Sequence, residues 1–127
     1  MNLLDNPLGI HEKALALRNQ RLELLSANIA NADTPHFKAK DLDFKRILSN
    51  ENPSPMAATD GRHFDSGETS NPNGLVFRVP YSASVDGNTV ELQVEQAAYG
   101  EAAADFQSTL TFLESRISGI RKSLRGE

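Results

Sequence analysis

The chain contains no cysteine and no tryptophan, and aromatic residues make up only 6% of it. Without cysteine there is neither a disulfide framework nor a thiol nucleophile. With a hydrophobic fraction of 39%, the 127 residues have a modest supply of core and are expected to form one domain. No stretch approaches the run of about 20 apolar residues that spans a bilayer, so direct membrane insertion is not expected. Met1 to Leu8 has no basic segment followed by an apolar one of sufficient length, and no cleavable signal peptide is expected. The formal charge of −4 provides no basic field for nucleic acid. The familiar catalytic and phosphate-binding patterns G-x-S-x-G, Walker loop and G-x-G-x-x-G are also missing. His11, His36 and His63 stand apart, with no pair at a metal-ligand spacing. Asp41 and Asp43 alternate beside Lys38, Lys40 and Lys45. An acid–base pair can be imagined there, but the segment reads as solvated surface charge. The expectation is a non-enzyme without cofactor or metal.

What the chain does have is two apolar heptad ladders. Near the C-terminus, Leu92, Tyr99, Phe106, Leu113 and Ile120 recur every seven residues, interleaved with Gln96, Ala103, Leu110, Ile117 and Leu124. This is the a/d pattern of a helix that packs along a partner helix. A helix from Thr89 to Leu124 would be roughly 54 Å long. A compact domain of this size is only about 35–40 Å across. Such a helix is too long to be covered by its own chain, so assembly is expected. Near the N-terminus, Leu8, Leu15, Leu22 and Ile29 form one row of a helix over Leu8–Ala32, and Leu3, Ile10, Leu17 and Leu24 form another. At 100° per residue the two rows cover an arc near 200°, where a helix on a single core needs little more than about 100°. Arg18 and Arg21 interrupt the arc, as snorkelling side chains at its edge or as contacts between subunits.

Between the ladders the pattern changes. Pro35 ends the first helix, because the residue before a proline is pushed out of the α region. Phe44, Ile47 and Leu48 have the spacing of a short helix. From Asn50 to Gly74, 17 of 25 residues are Asn, Asp, Ser, Thr, Pro or Gly, which predicts a mobile polar loop. Leu75–Val79 reads as a short strand ended by Pro80. Asp86-Gly87-Asn88 is a turn signal, and Asn88-x-x-Glu91 has the form of a capping box opening the long helix. Gly100 and Gly119 weaken that helix unless a close helix–helix approach compensates. The predicted fold is mainly α: an antiparallel pair of long terminal helices, with an irregular central segment holding a short β element. Residues 1–34 and 88–127 form the helical core, and residues 35–87 the centre, with its mobile loop over 50–74.

One segment carries more than punctuation: Ser26-Ala27-Asn28-Ile29-Ala30-Asn31-Ala32-Asp33-Thr34-Pro35-His36-Phe37-Lys38. Asn28 and Asn31 share a face of the last helical turn, where their amides can satisfy carbonyls left unpaired at a helix end. The wording closely resembles the signature of the bacterial flagellar axial family of rod and hook proteins, Ala-Asn-(Ile/Leu)-Ala-Asn, two residues, then Thr-x-Gly-(Phe/Tyr)-(Lys/Arg). Ala27 to Asn31, Thr34, Phe37 and Lys38 match. His36 departs, standing where the family usually has Gly, at a point where a positive φ would be costly. Further similarity to rod proteins lies in Lys38–Phe44, in Val79-Pro80-Tyr81 leading to Asp86–Leu92, in Phe106–Leu113 and in the basic Ile120–Gly126 tail.

The resemblance implies a structural subunit of the cell-proximal rod, which transmits torque between the membrane ring and the hook. Its partners would be further copies and other rod subunits in a helical tube, membrane-ring and ring–rod junction proteins, and the flagellar type III export apparatus that delivers it to the periplasm. The expected subunit interface comprises Leu8, Leu15, Leu17, Leu22, Leu24 and Ile29 on the first helix, and Asn28, Asn31, Thr34 and Phe37 at its exit. On the second helix it comprises Phe106, Leu110, Leu113, Ile117, Ile120 and Leu124. The alternatives are a sibling rod subunit, a soluble coiled-coil adaptor or export chaperone, and an enzyme built on Asp41, Asp43 and His36 or His63.

Overall fold

The computed structural model describes residues 8–51 and 74–126. The elements in order are α1 (Gly9–Ala30), β1 (Lys40–Leu42), α2 (Phe44–Glu51), β2 (Leu75–Phe77) and α3 (Leu92–Arg125). The fold is mainly α, as the ladders predict, with long N- and C-terminal helices and a two-stranded antiparallel sheet between them. α1 has 22 residues and α3 has 34, so they run about 33 Å and 51 Å at the α-helical rise. Their contacts step up one helix while stepping down the other. The His11 and Phe112 rings lie 4.7 Å apart, Arg18 pairs with Asp105, and Leu25 packs on Ala98 and Ala102. The two helices are therefore antiparallel. Met1–Pro7, with Leu3, and residues 52–73 of the expected loop lie outside the described residues, as does His63.

Three boundaries differ from the sequence reading. α1 stops at Ala30 rather than Ala32, and α3 begins at Leu92 rather than at Thr89. The Asn88–Glu91 capping box does not form. Glu91 is the N-cap of α3 and makes no side-chain cap bond, and its carboxylate accepts the Tyr81 N–H instead. The strand over 75–79 shortens to Leu75–Phe77, and its partner Lys40–Leu42 has too little apolar alternation to be read as a strand. The register pairs Lys40 with Phe77, Asp41 with Val76 and Leu42 with Leu75. Phe44, Ile47 and Leu48 do lie on a helix, α2, which continues to Glu51 at the start of the expected loop. Asp43 opens it, its carboxylate accepting the Arg46 N–H and its carbonyl the Ile47 N–H. At the far side of the loop, Gly74 is buried at φ +62°, and a Cβ there would collide with the Ile47 side chain. Only glycine fits.

The core is small. Among the described residues the buried apolar side chains are Leu25, Ala39, Leu42, Ala98 and Ala102. On α3 the face turned to α1 is Glu95, Ala98 and Ala102, one residue out of step with the predicted seam of Gln96, Tyr99 and Ala103. One residue is 100° of rotation, so Leu92 and Tyr99 are left exposed. Small side chains let the helices approach closely, while the bulky ones flank the contact. Gly100 and Gly119 face open space among the described residues, so no helix approach there offsets their helix-weakening effect. Leu25→Ala is expected to lower stability by about 2–5 kcal/mol, a large share of what so small a core supplies. Chemical denaturation followed by circular dichroism measures it.

Candidate functional site

The functional candidate is the junction where α1 ends, because the signature segment, both strands and the start of α3 meet there. Its polar groups are paired in a specific way. Asn28 is 1% exposed and places its amide against the Lys40 backbone, donating to the Lys40 carbonyl at 2.7 Å and accepting its N–H at 3.2 Å. The side chain thus acts as one more strand beside β1. Its second amide hydrogen goes to Glu95 Oε2 at 3.1 Å.

Glu95 is wholly buried. A carboxylate removed from water needs an opposite charge and hydrogen bonds. Arg78, just past β2, brings its Nε to 3.2 Å from Glu95 Oε1, and its Nη2 to 2.7 Å from Asp41 Oδ2. Asp41 is also held by Arg21 of α1, with Nε at 2.9 Å and Nη2 at 3.3 Å. Two arginines and two carboxylates therefore form a charge-balanced chain, Arg21–Asp41–Arg78–Glu95, from one helix to the other through the sheet. The hydrogen bond to Asp41 raises the Arg21 pKa further above its ordinary value. This corrects two sequence expectations. Asp41 is not a solvated surface charge; it is committed to two arginines because β1 turns it inward. Arg18 and Arg21 are not free snorkelling groups; both are held in ion pairs within their own chain. Arg18 pairs with Asp105 at 2.8 Å and lies over the Phe44 ring at 3.8 Å.

The exit of α1 is closed from a distance. Asn88 is 4% exposed, and its amide nitrogen donates to the carbonyls of Asn31, Ala32 and Thr34 at 2.8–2.9 Å. Its Oδ1 accepts the Val90 N–H at 2.7 Å. The residue expected to cap the start of α3 instead satisfies the turn that follows α1. Asn31 adds a bond from its own amide to the Ala27 carbonyl, as its position in the last turn predicts. In the turn itself His36 has φ 62°, and among the described residues it is the one non-glycine with positive φ. Its N–H bonds the Asp86 carbonyl, and its ring packs against Gly87, where a Cβ would stand 2.9 Å from Nδ1. Hydrogen bonds from the Ser84 hydroxyl and the Asn88 N–H hold the Asp86 carboxyl below its ordinary range.

The other expected interface residues are placed as follows. Leu8, Leu15, Leu17, Leu22, Leu24 and Ile29 are half-buried along or just before α1. Asn31 and Phe37 are half-buried and Thr34 is exposed, its hydroxyl donating to Asn31 Oδ1. On α3, Phe106, Leu110, Leu113 and Ile120 are half-buried, whereas Ile117 and Leu124 are exposed. Asn28 is the one fully buried member, and it turns toward its own chain. The residues that sequence reasoning missed are Asp41, Arg78, Glu95 and Asn88 in their paired roles. The signal was present for Glu95: an acid at i with alanines at i+3 and i+7 sits on a stripe made for close approach, where no charge stays unpaired.

Comparison with known proteins bears on what this junction serves. A family model described as "Flagella basal body rod protein" matches residues 8–38, which are α1 and its exit turn. The "Flagellar basal body rod protein FlgB" of Cereibacter sphaeroides is 43% identical over 121 residues, covering 94% of each chain. The protein of that name from Aeromonas hydrophila is 39% identical over 127 residues, covering 97% of this chain and 96% of its own. The one from Salmonella typhimurium is 37% identical over 135 residues, covering 99% and 98%. The chain belongs to the FlgB family of flagellar basal body rod proteins. As a member it is a structural subunit of the flagellar rod and not an enzyme. Its polar clamp is accordingly a fixture that sets the shape of a building block. The αL backbone at position 36 explains why the rod and hook signature has glycine there.

Two outcomes are expected. Asn88→Asp replaces the donor facing the carbonyls of the α1 exit with a carboxylate, and is expected to cost about 2–3 kcal/mol, read as a lower urea midpoint. His36→Gly removes the αL strain and is expected to raise stability by about 0.5–1 kcal/mol, read as a higher thermal midpoint.

Proposed function

We propose that this rod subunit lies in the cell-proximal rod on the periplasmic side and reaches it through the flagellar type III export apparatus. Its partners there are further copies, other rod subunits and the ring and ring–rod junction proteins. In this reading the helical core, residues 1–34 and 88–127, forms a wall of laterally packed helices that transmits torque. Residues 35–87 project from that wall. The interface residues are the apolar rows of α1 and α3 together with the exit turn from Asn31 to Phe37.

The observation that carries the proposal is the surface of α3. Phe112 is 52% exposed, Ile117 39% and Leu124 84%, all on one helix of a protein with few aromatic residues to spare. Soluble monomers rarely leave contiguous apolar surface uncovered, and such surface marks a place of association. Helices in register along a tube also resist torsion better than loops, which suits a drive shaft. Among the described residues no helix is long and apolar enough to cross a membrane.

Because Ile117 and Leu124 are exposed, a charge can be placed at either without disturbing the fold of the subunit. Ile117→Asp and Leu124→Asp are expected to leave the circular dichroism spectrum of the purified protein unchanged and to abolish swimming in a complemented strain lacking this protein. Removal of residues 110–127 is expected to do the same to swimming. Full motility with either aspartate would place these side chains on solvent and sink the proposal.

A further inference from the structure

Besides the tail of α3, the subunit has a second uncovered apolar surface. An open groove runs between β2 and the first half of α3, lined by Val76, Phe77, Val79, Tyr81, Val94 and Ala97. Phe77 is 67% exposed, Val79 86% and Tyr81 93%. Its floor on α3 is made of Val94, Ala97 and Ala98, followed by Glu101. Its wall is the outer edge of β2. The bond from the Arg78 N–H to the Ala39 carbonyl makes 39 and 78 a hydrogen-bonded pair. In an antiparallel ladder the neighbouring pair, Lys40 and Phe77, then turns its peptide groups away from the partner strand. The groove thus has apolar walls edged with backbone polar groups, has Arg21, Asp41, Arg78 and Glu101 also in its lining, and is open among the described residues.

α3 also divides by charge. From Glu91 to Asp105 it carries Glu91, Glu95, Glu101 and Asp105 and no base, and from Ser115 to Gly126 it carries Arg116, Arg121, Lys122 and Arg125 and no acid. Glu95 and Asp105 are occupied by Arg78 and Arg18, while Glu101 lies in the lining of the groove within reach of the Arg21 charge and Glu91 lies beside Tyr81. The basic half bears the apolar series Ile117, Ile120 and Leu124 at helical spacing. Arg21, Asp41, Arg78 and Glu95 balance one another, so Glu101 leaves the groove with an excess negative charge, opposite in sign to the tail. Groove and tail lie on one continuous helix, with Ala97 and Ile120 about 35 Å apart along its axis. The tail therefore cannot fold back into its own groove.

We propose that the groove between β2 and the first half of α3 receives the C-terminal end of α3 from a second copy of this chain. The inference rests on the rod-subunit reading and assigns which of its faces meet. The contact is heterologous, groove to tail, and leaves a free groove at one end and a free tail at the other. A contact of that kind propagates an open helical array rather than closing a dimer.

The natural absence of cysteine makes disulfide trapping clean. A full-length Tyr81→Cys chain and a differently tagged full-length Ser123→Cys chain are co-expressed in a strain lacking the native protein, and basal bodies are isolated and oxidised. The expected product is a mixed dimer carrying both tags, at least about tenfold above the homodimers of either variant. Glu101→Arg alone is expected to reduce it by about tenfold, and Glu101→Arg with Arg121→Glu in the other chain to restore it. Trapping of Ser123→Cys to a protein of another size, or only homodimers, or no product from basal bodies that contain both chains, overturns the inference and leaves the rod reading standing. Absence of the unsubstituted chain from basal bodies overturns both.

Discussion

Glu95 is the residue on which the arrangement turns. A buried carboxylate on the close-approach face of a long helix must find its counter-charge, and the cost of leaving it alone is several kcal/mol. The partners it finds lie on other elements: Arg78 beyond β2, and Asn28 on α1, which is itself bonded to the backbone of β1. Asp41 and Arg21 complete the chain of charges. An apolar seam alone would tolerate sliding, because leucines three, four and seven residues apart replace one another. The polar clamp does not, since moving α3 by one residue swings Glu95 through 100° and strands it. Register is therefore set by electrostatics and hydrogen bonds, and apolar packing follows it.

The exit of α1 shows the same economy in a second form. Every helix ends with carbonyls that have no helical partner. Here the signature segment supplies one amide of its own, from Asn31, and the chain returns much later with Asn88 to serve the turn that follows. Because Asn88 stands just before α3, closure of the turn and placement of the long helix are a single event. His36 accepts an unfavourable backbone conformation within that event, and the contacts of its N–H and ring with Asp86 and Gly87 hold it there.

Much of this was legible in the sequence, and the remainder was hidden for physical reasons. Helix type and length followed from the ladders, because 3.6-residue periodicity survives whatever the partner is, and antiparallel pairing followed from the place of the two helices at opposite ends of the sequence. The positive φ at position 36 was foreshadowed by the glycine usual in the family. The inner face of α3 was misplaced by one residue because apolar side chains were taken as the inner ones, whereas Ala98 and Ala102 approach α1 and the bulky residues remain outside. β1 escaped because Lys40–Leu42 is fixed by an asparagine amide rather than by alternation. Asp41 and Asn88 were misjudged because their partners lie 20 to 57 residues away, beyond any local spacing. The roles of the apolar rows toward neighbouring subunits belong to a level of structure that one chain does not contain.

The scarcity of buried apolar side chains has a thermodynamic consequence. Leu25, Ala39, Leu42, Ala98 and Ala102 bury too little surface to hold the described residues far from the folding threshold. The apolar area that would normally supply the difference sits on the outside of α3. Any neighbour that covers it binds the folded form and not the unfolded one, so folding and association are linked by mass action. Under the proposed interface, the melting temperature of the subunit would rise with the number of neighbours around it and would not be a constant of the chain.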